Sequence, residues 1–238
     1  MTADPLVLMP EVDRATERLL RTAESLDETA ARGPSLLPGW SRGHVLTHIA
    51  RSGDAVVTML TGARTGERLR GYASDAARDA DIEAGADRSP AELLTDVRES
   101  AARFADAVAA MAPADWAATV DHRLGPIPAA ALVWMRLREV EVHHVDLAAG
   151  YEPADWPASF SHRLLHDVVA GLGRRPGSPA LVLRPAEGRV ELTVGEPEAA
   201  PTVAGPVYEL AGWLIGRTDG ARLTVTPDGK LPTPPEWI

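Results

Sequence analysis

Apolar residues recur at helical spacing, with charged residues between them, in four stretches of the first 150 residues. The stretches cover residues 10–32, 41–61, 89–111 and 128–150. This pattern predicts four long amphipathic helices, each with a face that must be buried. Helices of this kind, joined by moderate connections, bury those faces by packing on one another, and we therefore predict a four-helix bundle.

Short signals agree with these helix limits. Ser41 is a suitable N-cap for the second helix, and the sequence SPAE at residues 89–92 is a capping box that opens the third. Residues 62–88 are polar and weakly patterned, which predicts a long connection with a short helix at residues 73–84. Long connections are often functional lids. Residues 112–126 are predicted as a loop or strand-like excursion that exposes His122, and Pro128 is expected to start the fourth helix.

The pattern changes after Tyr151. The remaining residues predict two helices and three strands, at 157–172 and 206–215, and at 180–184, 189–194 and 222–226. The first two strands are expected to form a hairpin. We therefore predict an α+β chain, with a helical bundle at residues 1–152 and a small α+β domain at residues 153–238.

The fourth helix carries ionisable side chains where apolar ones are expected. On a helical wheel, Glu139 and His143 lie about 40° apart inside an apolar arc, whereas Glu141 and His144 point to the opposite, outer face. An ionisable pair in an apolar stripe is costly unless it is paired, neutral or bound to a metal. The i, i+4 spacing suits one divalent ion. A buried hydrogen bond between Glu139 and His143 explains the same pattern equally well.

Three further residues are candidates for the same site. On the second helix, His48 lies inside the apolar arc and His44 at its edge, so His48 is the better candidate for a third ligand. A single inward histidine is, however, more often an ordinary core residue. Arg78, in the long connection, and Arg217, just after the helix at 206–215, are of the residue type that binds carboxylates in a bidentate manner. A solvated surface arginine and a helix-end arginine are the simpler interpretations.

Composition excludes several function classes. The formal net charge of −10 argues against nucleic acid or an anionic membrane surface as the main partner. The chain contains no cysteine, so a metal would have to be held by His, Asp or Glu. No basic leader opens the chain and no apolar run approaches the about 18 residues of a membrane span, so we expect a cytoplasmic protein.

A family resemblance rests on two stretches, LPGWSRGHVLTHIARS in the second helix and RLREVEVHHVDLAAGY in the fourth. Together they resemble the mycothiol-dependent maleylpyruvate isomerase family. The resemblance implies a DinB-like four-helix bundle followed by a small α+β domain similar to sterol-carrier folds. It also implies a divalent metal, typically zinc, held by His48, Glu139 and His143.

The resemblance extends to the residues around the metal and to the chemistry. Arg217 in GWLIGR matches a functional arginine of the family well, and Arg78 matches another less securely. Asp146 matches the acidic position after the metal-binding histidine and is expected to support that ligand. The implied reaction uses mycothiol as an external thiol, whose zinc-bound thiolate adds to maleylpyruvate and leaves again after rotation, giving fumarylpyruvate.

Two other functions remain open at this level. A mycothiol S-transferase would use the same activated thiolate and release a conjugate. A non-catalytic bundle that binds a small ligand would need no metal. The expected partners are a small-molecule substrate and a low-molecular-weight thiol, without nucleic acid or membrane. The oligomeric state is not fixed by the sequence, and a monomer is compatible with it.

Overall fold

The computed structural model of the chain describes residues 4–123, 125–188, 190–196, 200–227 and 229–233. The chain divides into two compact units, Met1–Gly150 and Tyr151–Ile238, and the domain boundary after residue 152 stays a prediction. The first unit is mainly helical and the second combines helices with a sheet, which confirms the α+β class. No helix in these described ranges has both the length and the apolar character needed to cross a membrane.

The described part of the first unit contains six α-helices, of which four are long. In chain order they are α1 (Met9–Glu24), α2 (Glu28–Arg32), α3 (Arg42–Thr65), α4 (Asp75–Ala86), α5 (Pro90–Ala109) and α6 (Ala131–Asp146). Helix α3 packs against α4, α5 and α6, and α1 packs against α5 and α6. The buried side chains of this bundle include Leu19, Ile49, Leu60, Phe104 and Leu137. The predicted four-helix bundle is confirmed.

Capping groups set the limits of the helices that matter most for the site. Ser41 and His44 form a capping box at the start of α3, and Gly66 ends that helix with a φ of 76°. Ser89 and Glu92 form the predicted capping box at the start of α5. These local contacts satisfy backbone groups that a helix end leaves without partners.

Helix α4 lies unusually close to α3 because Gly43 has no side chain. A Cβ built at Gly43 would lie 2.1 Å from the carbonyl oxygen of Ala86, which is too short for any real contact. The short helix predicted at residues 73–84 is present as α4, and this close approach holds it against the bundle. This packing brings the α4 side chains over the first turns of α3.

Two predicted helix limits in the first unit are wrong. The helix expected at residues 10–32 breaks after Glu24, because the side chain of Asp27 accepts a hydrogen bond from the backbone of Ala30 and starts α2 as a new helix. The fourth helix begins at Ala131, since Pro128 instead ends a strand. That strand, β2 (Gly125–Pro128), pairs antiparallel with β1 (Thr119–His122). His122 is therefore half-buried in a strand and not exposed in a loop.

The second unit contains two α-helices and a four-stranded sheet within its described residues. The helices are α7 (Ala158–Gly173) and α8 (Val207–Leu214), and the strands are β3 (Leu181–Pro185), β4 (Leu192–Val194), β5 (Thr202–Gly205) and β6 (Thr224–Thr226). Short 3₁₀ helices occur at Pro5–Leu8 and Asp115–Ala117 in the first unit and at Pro153–Asp155 in the second. The buried side chains of this unit include Phe160, Leu164, Leu181, Val203 and Trp213.

The sheet has the order β4-β3-β5-β6. Strands β3 and β4 form the predicted antiparallel hairpin, although Arg189, the predicted first residue of the second strand, lies outside the described residues. Strand β5 was missed by the sequence pattern. It pairs parallel with β3 and antiparallel with β6, so this short strand joins the hairpin to the rest of the sheet.

Candidate metal centre and active site

Three side chains from two helices of the bundle converge on one point. His48 of α3 and Glu139 and His143 of α6 each offer one ligand atom, and these atoms lie within 4.8 Å of one another. Nε2 of His48 is 3.0 Å from Oε2 of Glu139 and 3.0 Å from Nε2 of His143. Nε2 of His143 is 3.5 Å from Oε2 of Glu139. The three atoms therefore form a nearly regular triangle.

This triangle fits a zinc ion. Bonds of about 2.0–2.1 Å in a tetrahedral arrangement place neighbouring ligand atoms about 3.4 Å apart. The observed sides of 3.0, 3.0 and 3.5 Å are close to that value. Two imidazole nitrogens 3.0 Å apart repel each other unless a proton or a metal lies between them. Three protein ligands leave one tetrahedral position for a reactant, as in catalytic zinc sites.

Asp146 orients one of the ligands. Its side chain is fully buried, and its Oδ2 accepts a hydrogen bond from Nδ1 of His143 at 2.8 Å. In the neutral imidazole the proton therefore lies on Nδ1, and the lone pair of Nε2 points toward the other two ligands. Burial lowers the pKa of His143, but the hydrogen bonds to Asp146 and Glu139 outweigh burial and raise this pKa to about 9.

The other two ligands have the protonation states that a metal requires. Burial acts to raise the pKa of Glu139, but hydrogen bonds with His143 and His48 outweigh it and hold this pKa well below the ordinary value. Burial lowers the pKa of His48, and the adjacent His143 lowers it further. At neutral pH the site thus offers an ionised carboxylate and a neutral imidazole, both able to bind a cation.

Arg78 and Trp40 border the cluster. Arg78 lies on α4, and its Nη2 is 3.4 Å from Nδ1 of His48. The guanidinium carbon lies 6.0 Å from the ring centroid of Trp40, whose ring is 5.5 Å from that of His48. The Arg78 side chain is 20% exposed and also donates to Asp79. A partly exposed guanidinium beside three ligand atoms is suited to binding an anionic group at the same site.

A family model described as "Mycothiol maleylpyruvate isomerase N-terminal domain" matches residues 12–148, which is more than half of the chain. The chain belongs to this family. A second model, described as "MDMPI C-terminal domain", matches residues 155–236. The resemblance inferred from the two helix motifs is confirmed.

Two solved structures are similar to this family member over nearly its whole length. One is the crystal structure of the mycothiol-dependent maleylpyruvate isomerase, with a TM-score of 0.89, 27% sequence identity, and coverage of 95% of this chain and 94% of that chain. The other is a mutant of the mycothiol-dependent maleylpyruvate isomerase with a histidine replaced by alanine, with a TM-score of 0.88, 26% identity and the same coverage. Comparison with curated proteins gives no significant match.

The two arginines predicted for the site of this isomerase-family chain occupy different units. Arg78 lies beside His48 in the first unit. Arg217 belongs to the second unit, follows α8 and Gly216, and donates from Nη1 to the carbonyl oxygen of Ile215 at 2.8 Å. This contact is one that many arginines make near a helix end. A role of Arg217 in the reaction therefore stays a prediction.

The prediction that Glu141 and His144 lie on an outer face is wrong. Each is only 1% exposed. Glu141 pairs with Arg18 of α1 at 2.5 Å, and Nε2 of His144 is 2.8 Å from Oγ1 of Thr22 on the same helix. The error arose because α6 packs against α3 on one side and α1 on the other, so it has no single solvent face. Polar groups on its second side are paired with α1 rather than hydrated.

Sequence reasoning also missed two aromatic residues near the cluster. Trp40 directly precedes the N-cap of α3, at a position where the sequence predicts only a turn. Tyr72 lies in the connection between α3 and α4, where its hydroxyl is buried and has no hydrogen-bond partner among the described residues. The presence of an aromatic residue in an otherwise polar connection is the sequence feature that could have identified Tyr72 as a functional candidate.

Arg136 is a further buried polar residue, one turn before Glu139 on α6. Its side chain is fully buried, and Nη1 donates to the carbonyl oxygen of Ile49 at 2.7 Å and to Oγ of Ser52 at 3.3 Å. Nε and Nη2 have no partner within the described residues. Burial lowers the pKa of Arg136 from 12.5 to about 10, although Glu139 acts in the opposite direction.

Proposed function

We propose that this chain is a zinc-dependent and mycothiol-dependent cis-trans isomerase that converts maleylpyruvate to fumarylpyruvate in the cytoplasm. The triangle of His48, Glu139 and His143 is the observation that carries the proposal. Family membership and the similarity to solved maleylpyruvate isomerases support the choice of thiol and substrate. The net charge of −10 does not oppose an anionic substrate, because a local arginine dominates at short range.

The protein residues prepare the site for a thiol. The chain has no cysteine, so the thiol has to come from outside. A divalent ion held by the three ligands supplies one chemical property, since it lowers the pKa of a bound thiol and so favours the thiolate. Asp146 keeps the lone pair of His143 directed at the ligand centre.

The thiolate is proposed to add to the cis double bond of maleylpyruvate. The new sulfur–carbon bond forms as the electron pair of the double bond moves through the conjugated ketone to its oxygen, which gives an enolate. The former double bond is then single and can rotate. When the electron pair returns, the sulfur–carbon bond breaks and the trans product leaves. The thiol is regenerated and no proton needs to be transferred.

Arg78 is proposed to bind the anionic substrate. Ligation through Nε2 of His48 leaves the imidazole proton on Nδ1, and an N–H group of Arg78 cannot donate to a nitrogen that holds a proton. The 3.4 Å contact between them is therefore lost, and the guanidinium becomes available to a carboxylate or enolate oxygen. Arg217 is proposed as a second arginine for the substrate, on the strength of its GWLIGR motif.

The test begins with metal analysis of protein purified without chelators. Loss of the cis isomer is then measured with and without mycothiol, for the unaltered protein and for His48→Ala. His44→Ala is the matched control, because His44 lies one turn away on α3 and its Nε2 faces Glu83. We expect about one zinc per chain, thiol-dependent turnover, and loss of both in His48→Ala only. Thiol-independent turnover, or full activity of His48→Ala, would overturn the proposal.

Product analysis separates the remaining functions. An isomerase regenerates free mycothiol, whereas an S-transferase consumes it and releases a conjugate that mass spectrometry detects. A protein that binds no stoichiometric metal and turns over no substrate would be the non-catalytic ligand-binding alternative.

A further inference from the structure

Tyr72 lies at a point where the chain is pressed against the helix that carries His48. A Cβ built at the preceding residue, Gly71, would be 2.9 Å from Cβ of Ala55, so the backbone touches α3 there. Ala55 is seven residues after His48, which places the two on nearly the same face of α3 and about 10 Å apart along it. Further on, Arg78 contacts His48 itself. The segment from Gly71 to Arg78 therefore runs along α3 toward the cluster.

The hydroxyl of Tyr72 is buried and has no hydrogen-bond partner among the residues that the structure describes. Nearly all buried polar groups in folded proteins are hydrogen-bonded, so a buried phenol without a partner needs an explanation. The groups whose charges act on this phenol include Arg78, Glu139, Arg51 and Asp54. Its surroundings thus combine one metal ligand with the arginine that borders the cluster.

The phenol is a donor at neutral pH. Burial raises the pKa of Tyr72 to about 12, so the O–H group keeps its proton. A protonated phenol can donate one hydrogen bond, and it suits an oxygen that carries negative charge. No side chain described in the structure takes this hydrogen bond, which leaves it available to a bound molecule.

We propose that the hydroxyl of Tyr72 donates a hydrogen bond to the anionic oxygen of the substrate, on the same side of the cluster as Arg78. This inference rests on the proposed function, in which thiolate addition moves an electron pair onto the substrate carbonyl oxygen. Tyr72 stabilises that oxygen without giving up its proton. It is then a catalytic residue that acts most strongly while the enolate exists.

The test compares Tyr72→Phe with Tyr208→Phe in the zinc-loaded protein. Phenylalanine keeps the aromatic ring and removes only the hydroxyl, and Tyr208 is the control because its hydroxyl already has a partner, Arg222. For Tyr72→Phe we expect kcat to fall about 10- to 100-fold, KM to change less than about threefold, and zinc content to stay the same. The melting temperature should stay equal or rise, because the buried hydroxyl has no partner to lose. A merely structural role predicts a lower melting temperature. An unchanged kcat, with or without a lower melting temperature, contradicts the proposal.

A binding experiment separates failure of this inference from failure of the proposed function. Acetylpyruvate has the dioxo acid portion of the proposed substrate, forms an enolate, and lacks the double bond. Its Kd, measured by calorimetry, should rise about tenfold in Tyr72→Phe and remain unchanged in Tyr208→Phe. If the unaltered protein does not isomerise maleylpyruvate but shows this difference, the proposed reaction fails, whereas the hydrogen bond from Tyr72 to an anionic oxygen of the bound molecule stands. No binding to the unaltered protein, or equal Kd values, overturns the role of Tyr72.

Discussion

Replacing Arg136 by methionine should stabilise the protein. Arg136 is fully buried, faces no carboxylate within hydrogen-bond distance among the described residues, and leaves Nε and Nη2 without partners. Burial lowers its pKa from 12.5 to about 10, and a shift of about 2.5 units corresponds to about 3 kcal/mol of destabilisation at neutral pH. Methionine has a similar shape and carries no charge. Replacing a buried charge in this way is often neutral or stabilising.

The loss of hydrogen bonds offsets part of this gain. Nη1 of Arg136 donates a hydrogen bond to the carbonyl oxygen of Ile49, and the loss of this bond costs about 1 kcal/mol. That carbonyl keeps a second donor, because Oγ of Ser52 also bonds to it at 3.1 Å. The expected net gain is about 2 kcal/mol, or about 4–8 °C in melting temperature.

The assay is urea denaturation of metal-free protein, followed by helical circular dichroism at pH 7 and at pH 11. Because the folded-state pKa of Arg136 is lowered, its penalty is fully present below about pH 10 and is relieved as pH rises through that value. The advantage of Arg136→Met should therefore shrink at pH 11. Arg136→Lys keeps the charge and is the control, with no gain expected. If Arg136→Met loses 1 kcal/mol or more at pH 7, the reasoning is refuted.

Three further changes have defined outcomes. Zinc binding at pH 7 should release about one proton from His143, because the pKa of His143 is about 9, and the zinc affinity should rise about tenfold per pH unit up to about pH 9. Calorimetry in two buffers of different ionisation enthalpy measures the proton release. Binding without proton release contradicts the prediction. Gly43→Ala should lower the free energy of unfolding, measured by urea denaturation, by about 1–3 kcal/mol, because the new methyl group contacts the carbonyl oxygen of Ala86. An unchanged denaturation midpoint would show that α4 can move away from α3 without cost. Arg18→Met should cost about 3 kcal/mol by leaving Glu141 buried without this partner, and adding Glu141→Leu should recover most of the loss; failure to recover would mean that the pair acts through other contacts.

The sequence contained enough information to predict the bundle and the three residues of the candidate metal site. Helical periodicity and capping residues such as Ser89 act over a few residues, so they can be read without knowing the tertiary structure. The spacing of Glu139 and His143 and the inward direction of His48 are also local properties. Their convergence on one point was implied by the family resemblance, and the structure places the ligand atoms within 3.5 Å of one another.

Other features depended on neighbours that are distant in the sequence. A helical wheel predicts an outer face for Glu141 and His144 because it cannot show that α1 covers the second side of α6. Strand β5 has only four residues and is defined by pairing with β3 and β6. The position of Tyr72 depends on how closely Gly71 approaches α3. In each case packing, and not local propensity, decides the outcome.

The ion pair between Arg18 and Glu141 gives α1 an influence on a site to which it contributes no ligand. Nε2 of His143 lies about 6 Å from the axis of α6, so a rotation of only about 10° would move it by about 1 Å. Metal–ligand distances tolerate errors of about 0.2 Å. By anchoring the far side of α6, Arg18 and Thr22 resist such rotation. The rotational stiffness of one helix thus sets how accurately the side chains of the candidate metal site are placed, and substitutions in α1 should change that placement without touching the site itself.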